Sequence, residues 1–248
     1  MAYNDFAFVY DSLMADADYT KRTDFVLKLF KKFGSVPTLL LDVACGTGKF
    51  SVEFAKKGIE VIGNDMSENM LSVARENAEK ENLNILYLCQ KAEELDLYGT
   101  VDGAVCLMDS INHITDKKSL LSAFKKISLF LEPQKLFVFD VNTVYKHEKV
   151  LADNTFVLQE ENIYCVWQNK YRKKAKTTDI TLDIFTNKNG IYNKSHEEFS
   201  EKAYTAEELT ALLNKSGFLV EAIYGDLTAK KPKETEERIF FVCRKANT

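Results

Sequence analysis

The chain has 248 residues, with 46% hydrophobic and 28% charged content. That is enough for a full core in one large domain with an elaboration, of the soluble globular class. A net charge of −4 gives no general attraction to nucleic acid or anionic membrane, no stretch approaches the ~20 apolar residues of a membrane span, and the opening MAYNDFAFVYDSLM lacks the basic start and apolar run of a signal peptide.

The five cysteines are scattered, without CxxC or a Cys/His cluster, which argues against zinc and fits a reducing compartment. A cytoplasmic protein without a metal is expected.

In chain order, YTKRTDFVLKLFKKFG reads as a helix closed by Gly34. TLLLDVA is a strand, GKFSVEFAKKG a helix closed by Gly58, and IEVIGND a second strand. SENMLSVARENAEKEN is a helix capped by Ser67, with Met70, Leu71, Val73 and Ala74 as its apolar stripe. LNILYLCQ and VDGAVCLMD are the third and fourth strands. DKKSLLSAFKKISLFLEP is an amphipathic helix expected to end at Pro133, and KLFVFDVN is the fifth strand. This alternation implies a parallel α/β sheet wound on both faces.

The pattern changes near residue 150. Residues 148–203 alternate apolar and polar, are rich in β-branched and aromatic types, and turn at NKNG, as an antiparallel β insertion would. A helix returns in TAEELTALLNKSGF, with Thr205 and Glu208 as a capping box and Gly217 as its stop. FLVEAIYGD and ERIFFVCRK are two last strands. The expected division is 1–147 with 204–248 as one domain and 148–203 as the insertion.

The stretch LLLDVACGTGKF carries the chemistry. A carboxylate, Asp42, at the end of a buried strand is costly unless something satisfies it. Gly46 and Gly48 open the main chain to a ligand at a helix N-terminus. The second strand ends in Asp65, an acid placed to accept hydrogen bonds from ribose hydroxyls, and Met66 offers an apolar cover for adenine. The dinucleotide pattern G-x-G-x-x-G fails at Ser51, and a pyrophosphate would be repelled by Asp42. A cationic adenosine ligand suits the set better than NAD.

LLLDVACGTGKF, VIGNDMSENMLSVA, QKAEEL and LMDSINHI resemble, in order and spacing, the motifs of class I S-adenosylmethionine-dependent methyltransferases. YNDFAFVYDSLM looks like the opening of a small bacterial branch of that family. The resemblance implies a Rossmann-like seven-stranded mixed sheet whose last strand is antiparallel. It implies S-adenosylmethionine as the cofactor and S-adenosylhomocysteine as the product. The methionine part would fall on Asp42, Ala44, Gly46 and Gly48, the ribose on Asp65, and the adenine on Met66 and Ala92. Lys91 stands where an acid commonly accepts the adenine amino group; either Glu93 or Glu94 shifts in, or that contact is missing. Arg22 stands where this branch often has tryptophan, where it could pair with the cofactor carboxylate.

Methyl displacement can rest on proximity and alignment alone. If the acceptor must lose a proton, Asp109, His113 and Tyr10 are the candidate bases. Tyr3, Tyr10 and Tyr19 could form a lid or simply pack, with Tyr10 favoured as lid. The run KYRKKAK reads as a solvated edge before a nucleic-acid face. The expected partner is a small-molecule acceptor beneath the β insertion, with RNA or protein next, no membrane, and a monomer or homodimer. A non-catalytic adenosine-binding module is the alternative from another class, and an NAD oxidoreductase a weaker one.

Overall fold

The structure, a computed structural model, describes residues 7–14 and 17–247. Seven strands form the main sheet: β1 (Leu39–Val43), β2 (Glu60–Asp65), β3 (Leu86–Cys89), β4 (Val101–Cys106), β5 (Leu131–Asn142), β10 (Phe218–Gly225) and β11 (Arg238–Lys245), in the order β10-β11-β5-β4-β1-β2-β3. Neighbours from β3 to β5 pair parallel, while β11 is antiparallel to both β5 and β10. β11 is therefore the strand reversed against the rest, as expected. Chain order reverses between β1 and β4, so the crevice at their carboxyl ends is the natural ligand position.

Both faces of the sheet are covered. α5 (Lys117–Phe130) and α6 (Ala206–Asn214) bury Leu120, Phe124, Ile127, Leu209 and Leu213 on one face. α2 (Tyr19–Lys32) and α3 (Lys49–Lys56) bury Phe25, Phe30, Phe50 and Phe54 on the other. These helices begin where their caps allow. Ser67 accepts from the Met70 N–H to open α4 (Glu68–Lys80), and Thr205 with Glu208 forms the capping box of α6. α5 stops at Phe130 rather than at Pro133. The chain passes straight into β5, and a register shift between Val101 and Gly103 absorbs Pro133 and the left-handed Gln134. This agrees with proline being tolerated in a sheet at irregularities. A short helix α1 (Ala7–Leu13), not foreseen, precedes α2.

The second sheet is β6 (Thr155–Glu160), β7 (Ile163–Arg172), β8 (Thr177–Lys188) and β9 (Ile191–Lys202), a four-stranded antiparallel meander. Asn189 and Gly190 turn β8 into β9 with φ of 55° and 81°, the left-handed pair that a tight two-residue hairpin requires. One face of this sheet packs Cys165, Ile180, Leu182 and Ile184 against Ala7 and Val9 of α1 and Met70 and Val73 of α4. The small sheet thus sits over the carboxyl ends of the main one.

Candidate active site

A cavity of about 390 Å³ opens where the two sheets meet. Its base is the glycine loop and the ends of β1, β2 and β4; its roof is α1 and the small sheet. Asp42, Ala44, Gly46, Asp65, Met66, Asp109, His113 and Tyr10 all line it.

Asp42 is 1% exposed, and its carboxylate accepts a hydrogen bond from Ser51 Oγ at 2.6 Å. Burial pushes its pKa up to about 7, against the Ser51 bond. A cationic group arriving here would restore the ionised form. Asp65 accepts from the Gly46 and Ser67 backbone N–H groups, both at 2.9 Å, which ties the glycine loop to the end of β2. Burial raises its carboxyl above the usual range despite these bonds. Gly46 has φ 53° and open space where a Cβ would stand, so a ligand can reach the main chain there. Ala44 takes the same left-handed conformation, φ 53°, with a methyl group. Met66 is 64% exposed at the mouth.

Four expected residues stand off the cavity lining. A Cβ on Gly48 would come within 2.5 Å of Tyr87 Oη and 2.8 Å of Ala74 Cβ, so this glycine lets the loop pack on α4 and β3. Arg22 is engaged elsewhere: its guanidinium pairs with both oxygens of Asp226, and its Nε donates to the Ala17 carbonyl. Lys91 is exposed, 3.8 Å from Glu94. Ala92 opens a three-residue 3-10 turn that packs on the core and carries Glu93 and Glu94, neither of them on the lining.

The catalytic candidates also separate. Asp109 is bound by Arg238 Nη2 at 2.6 Å. Burial would raise its carboxyl, but Arg238 and then Lys146 outweigh burial and hold it below the usual range, which makes it a poor proton acceptor. Met108 and Asp109 are both left-handed, φ 56° and 53°; Asp140 fixes them by accepting their N–H groups at 2.9 and 3.0 Å, and it also pairs with Arg238. Ser110 turns its hydroxyl to the Leu107 carbonyl. Asn112 is fully buried and donates to the carbonyls of Asn142 and Lys202 at 3.1 and 2.8 Å, clamping β5 to β9. His113 lies on the cavity, its pKa lowered by burial. Tyr10 lines the roof beside Leu13 and Met14, and Tyr19 packs edge-on against Phe50 at 5.0 Å. Tyr3 lies outside the described residues.

Several site residues have no signal in the sequence. Asp11 accepts from Thr47 Oγ1 at 2.6 Å and from Asn77 Nδ2 at 2.9 Å, and it pairs with Lys49 at 3.2 Å, which docks α1 on the glycine loop. Arg238, Asp140 and Lys146 surround Asp109. Glu201 comes from β9 in the small sheet; Asp109, His113 and Glu201 each bring an atom within 4.8 Å of the others. A cation at that spot would share Asp109 with Arg238. In the run KYRKKAK, Lys170 pairs with Asp153, Arg172 with Asp179 and Lys176 with Glu208. Among the described residues no helix is long and apolar enough to cross a membrane.

Known proteins with the same pattern agree with this geometry. A family model described as a methyltransferase domain matches residues 40–134. A Geobacillus sp. (strain WCH70) protein named "Putative methyltransferase" is 33% identical across 99% of this chain and 100% of its own length. The crystal structure of a S-adenosylmethionine-dependent methyltransferase from Clostridium acetobutylicum ATCC 824 superposes with a TM-score of 0.90, at 29% identity, covering 99% of each chain. Likeness of fold alone extends to CalS10 from Micromonospora echinaspora, a SAM-bound amino pentose methyltransferase, with a TM-score of 0.74, 18% identity, and 96% and 97% coverage of the two chains. With the glycine loop, Asp42 and Asp65 assembled at the switch point of the sheet, the chain belongs to the class I S-adenosylmethionine-dependent methyltransferases.

Proposed function

We propose that the chain transfers a methyl group from S-adenosylmethionine to a small molecule held between the glycine loop and the small sheet. One observation carries this reading: a single cavity has the glycine loop, Asp42 and Asp65 at one end and Leu158, Trp167, Leu182 and Phe199 of the small sheet at the other. Asp42 fits the ligand's ammonium, because a cation would relieve its buried carboxyl. Asp65 keeps acceptor capacity for ribose hydroxyls, Met66 covers the adenine, and the space at Gly46 admits the methionine chain. When bound, the cofactor supplies an electrophilic sulfonium methyl. The protein's own work is alignment and exclusion of water, to which α1 contributes Tyr10, Leu13 and Met14. The apolar wall of the small sheet favours a small acceptor over an RNA. An amino pentose, the acceptor class in the name of CalS10, is of the expected size class.

Calorimetry with S-adenosylmethionine, S-adenosylhomocysteine and NAD tests the cofactor. The first two should bind and NAD should not. A labelled-methyl screen of a small-molecule cell extract tests the transfer; cofactor binding without any labelled product would leave an adenosine-binding module as the better reading.

A further inference from the structure

We propose that the acceptor is an amine and that Glu201 receives its nitrogen and takes the proton that the nitrogen must lose. This rests on the methyl-transfer reading of the cavity.

Alternation along β9 turns Phe199 and Glu201 to the cavity. Glu201 is 4% exposed. Its Oε1 lies 3.6 Å from His113 Nε2 and its Oε2 3.8 Å from His147 Nε2, both beyond a hydrogen bond. Oε2 is buried without a hydrogen-bond partner. The position is rigid, because Asn112 holds the carbonyl of the next residue, Lys202, at 2.8 Å. A fixed, buried carboxylate oxygen with no donor is costly unless a ligand supplies one.

The neighbouring cations do not supply it. Arg238 is divided between Asp109 and Asp140. Lys146 Nζ donates to Asn142 Oδ1 at 3.0 Å. Burial pushes the imidazoles of both His113 and His147 toward the neutral form. Burial and Asp109 outweigh the Lys146 and Arg238 charges and the Asn142 side chain at this carboxyl; an ammonium would bring both the missing N–H and a further positive charge, whereas a hydroxyl brings only the first. A carboxylate acceptor would meet Asp42, Asp65, Asp109 and Glu201 along one cavity. The adjoining Leu158, Trp167, Leu182 and Phe199 ask for an apolar body behind the amine. Burial, with Asp109 adding to it, pushes the Glu201 carboxyl up to about 8, close enough to an amine for proton exchange.

The acceptor enters as an ammonium, whose charge drives the Glu201 proton to solvent and leaves the carboxylate ionised beside it. One N–H proton passes to Glu201, which leaves a neutral amine with a free electron pair. That pair forms the N–CH3 bond as the C–S bond breaks. The C–S electrons stay on sulfur, so the sulfonium becomes a thioether and the positive charge moves to the methylated nitrogen. Solvent then takes the proton from Glu201.

The test uses the full chain, labelled S-adenosylmethionine and a bacterial small-molecule extract. Half of the extract is treated with an aqueous N-hydroxysuccinimide ester of acetic acid, which acylates primary and secondary amines to non-basic amides and largely spares hydroxyls. Capping should lower labelling at least tenfold. Glu201→Gln should slow transfer to the uncapped extract by about a hundredfold or more while S-adenosylhomocysteine affinity stays within twofold. Labelling that survives capping, or a Glu201→Gln rate within threefold of the parent, overturns the proposal and leaves methyl transfer standing. Activity lost in EDTA and restored by Mn2+ also overturns it, with a divalent cation taking the amine's place. No labelling of either half, with S-adenosylhomocysteine still bound, removes the methyl-transfer reading and this one with it.

Discussion

Arg238 Nη2 and Asp109 Oδ1 meet at 2.6 Å, joining the start of the reversed strand β11 to the loop after β4 across 129 positions of sequence. Arg238 also pairs with Asp140, whose carboxylate holds the N–H groups of Met108 and Asp109. Removing the guanidinium would leave two buried carboxylates facing each other. Arg238→Met should therefore cost about 3–5 kcal/mol, the range for breaking a buried pair from one side. Urea denaturation at pH 8 measures this; a loss below about 1 kcal/mol would show that the network carries no stability.

Asp42 sets a pH dependence. Its folded pKa of about 7 lies above the ordinary 3.8, so the neutral form is favoured by the fold. That contribution is full below about pH 4 and is lost as pH rises through about 7. Asp42→Asn keeps an acceptor for Ser51 and removes the loss, so above pH 8 the variant should be the more stable, by up to about 4 kcal/mol. On the proposed reading of Asp42 as the partner of the ligand's ammonium, the same proton leaves when that ammonium arrives. Calorimetry in buffers of different ionisation enthalpy should find nearly one proton released per S-adenosylhomocysteine bound at pH 6 and almost none at pH 8.5. Equal release in Asp42→Asn would assign that proton to another group.

Asp65 and Gly46 are coupled through the 2.9 Å bond between the Gly46 N–H and Asp65 Oδ2. Asp65→Ala should weaken S-adenosylmethionine binding at least about tenfold, as charge-assisted ribose bonds and the loop anchor go together. Gly46→Val should be worse. Its φ of 53° disfavours a β-branched residue, and the side chain would project into the open space. Normal affinity in a folded Gly46→Val protein would mean that this space is not ligand space.

Asp11 tests the roof. It is the anchor of α1 on Thr47, Lys49 and Asn77. Asp11→Ala should lower S-adenosylhomocysteine affinity by about five- to tenfold, in proportion to one or two lost hydrogen bonds to a charged group. Hydrogen exchange should quicken in residues 7–14 and stay unchanged in β4 and β5. Undiminished affinity with faster exchange would separate α1 from cofactor binding.

The parts of this site that were legible in the sequence are the local ones. The strand, acid and glycine order of residues 39–50 marks Asp42 and Gly46 because each follows from its own neighbours. Asp65 is legible through its spacing from that loop. The hairpin at Asn189 and Gly190 is legible because only left-handed residues make that turn. Arg238, Asp140 and Glu201 carry no such mark. An arginine opening a strand and a glutamate in an alternating one read as ordinary surface residues, and only the pairing of β11 with β5 and the clamp of Asn112 on β9 turn them inward. At Gly48 the structural demand is the illegible part: a Cβ there would meet Tyr87 and Ala74, residues distant in sequence. Asp109 sits where expected, but the guanidinium that removes its basicity arrives from the far end of the chain.

The small sheet decides which acceptor is used, if its apolar face is the acceptor wall. Leu158, Cys165, Trp167, Leu182 and Phe199 line the cavity, whereas none of β6–β9 contributes to the main sheet. Replacing residues 148–203 with a short Gly/Ser linker should therefore keep S-adenosylhomocysteine binding, because Asp42, Gly46 and Asp65 belong to the main sheet and its loops. Affinity should fall only as far as the packing of α1 and α4 against the small sheet is lost. Transfer to the native acceptor should vanish, since both the apolar wall and Glu201 go with the segment. Circular dichroism and calorimetry establish that the shortened protein is folded and binds. A labelled-methyl assay then separates the two roles: transfer at the parent rate would detach the small sheet from acceptor selection and make it a surface for oligomer or partner contact.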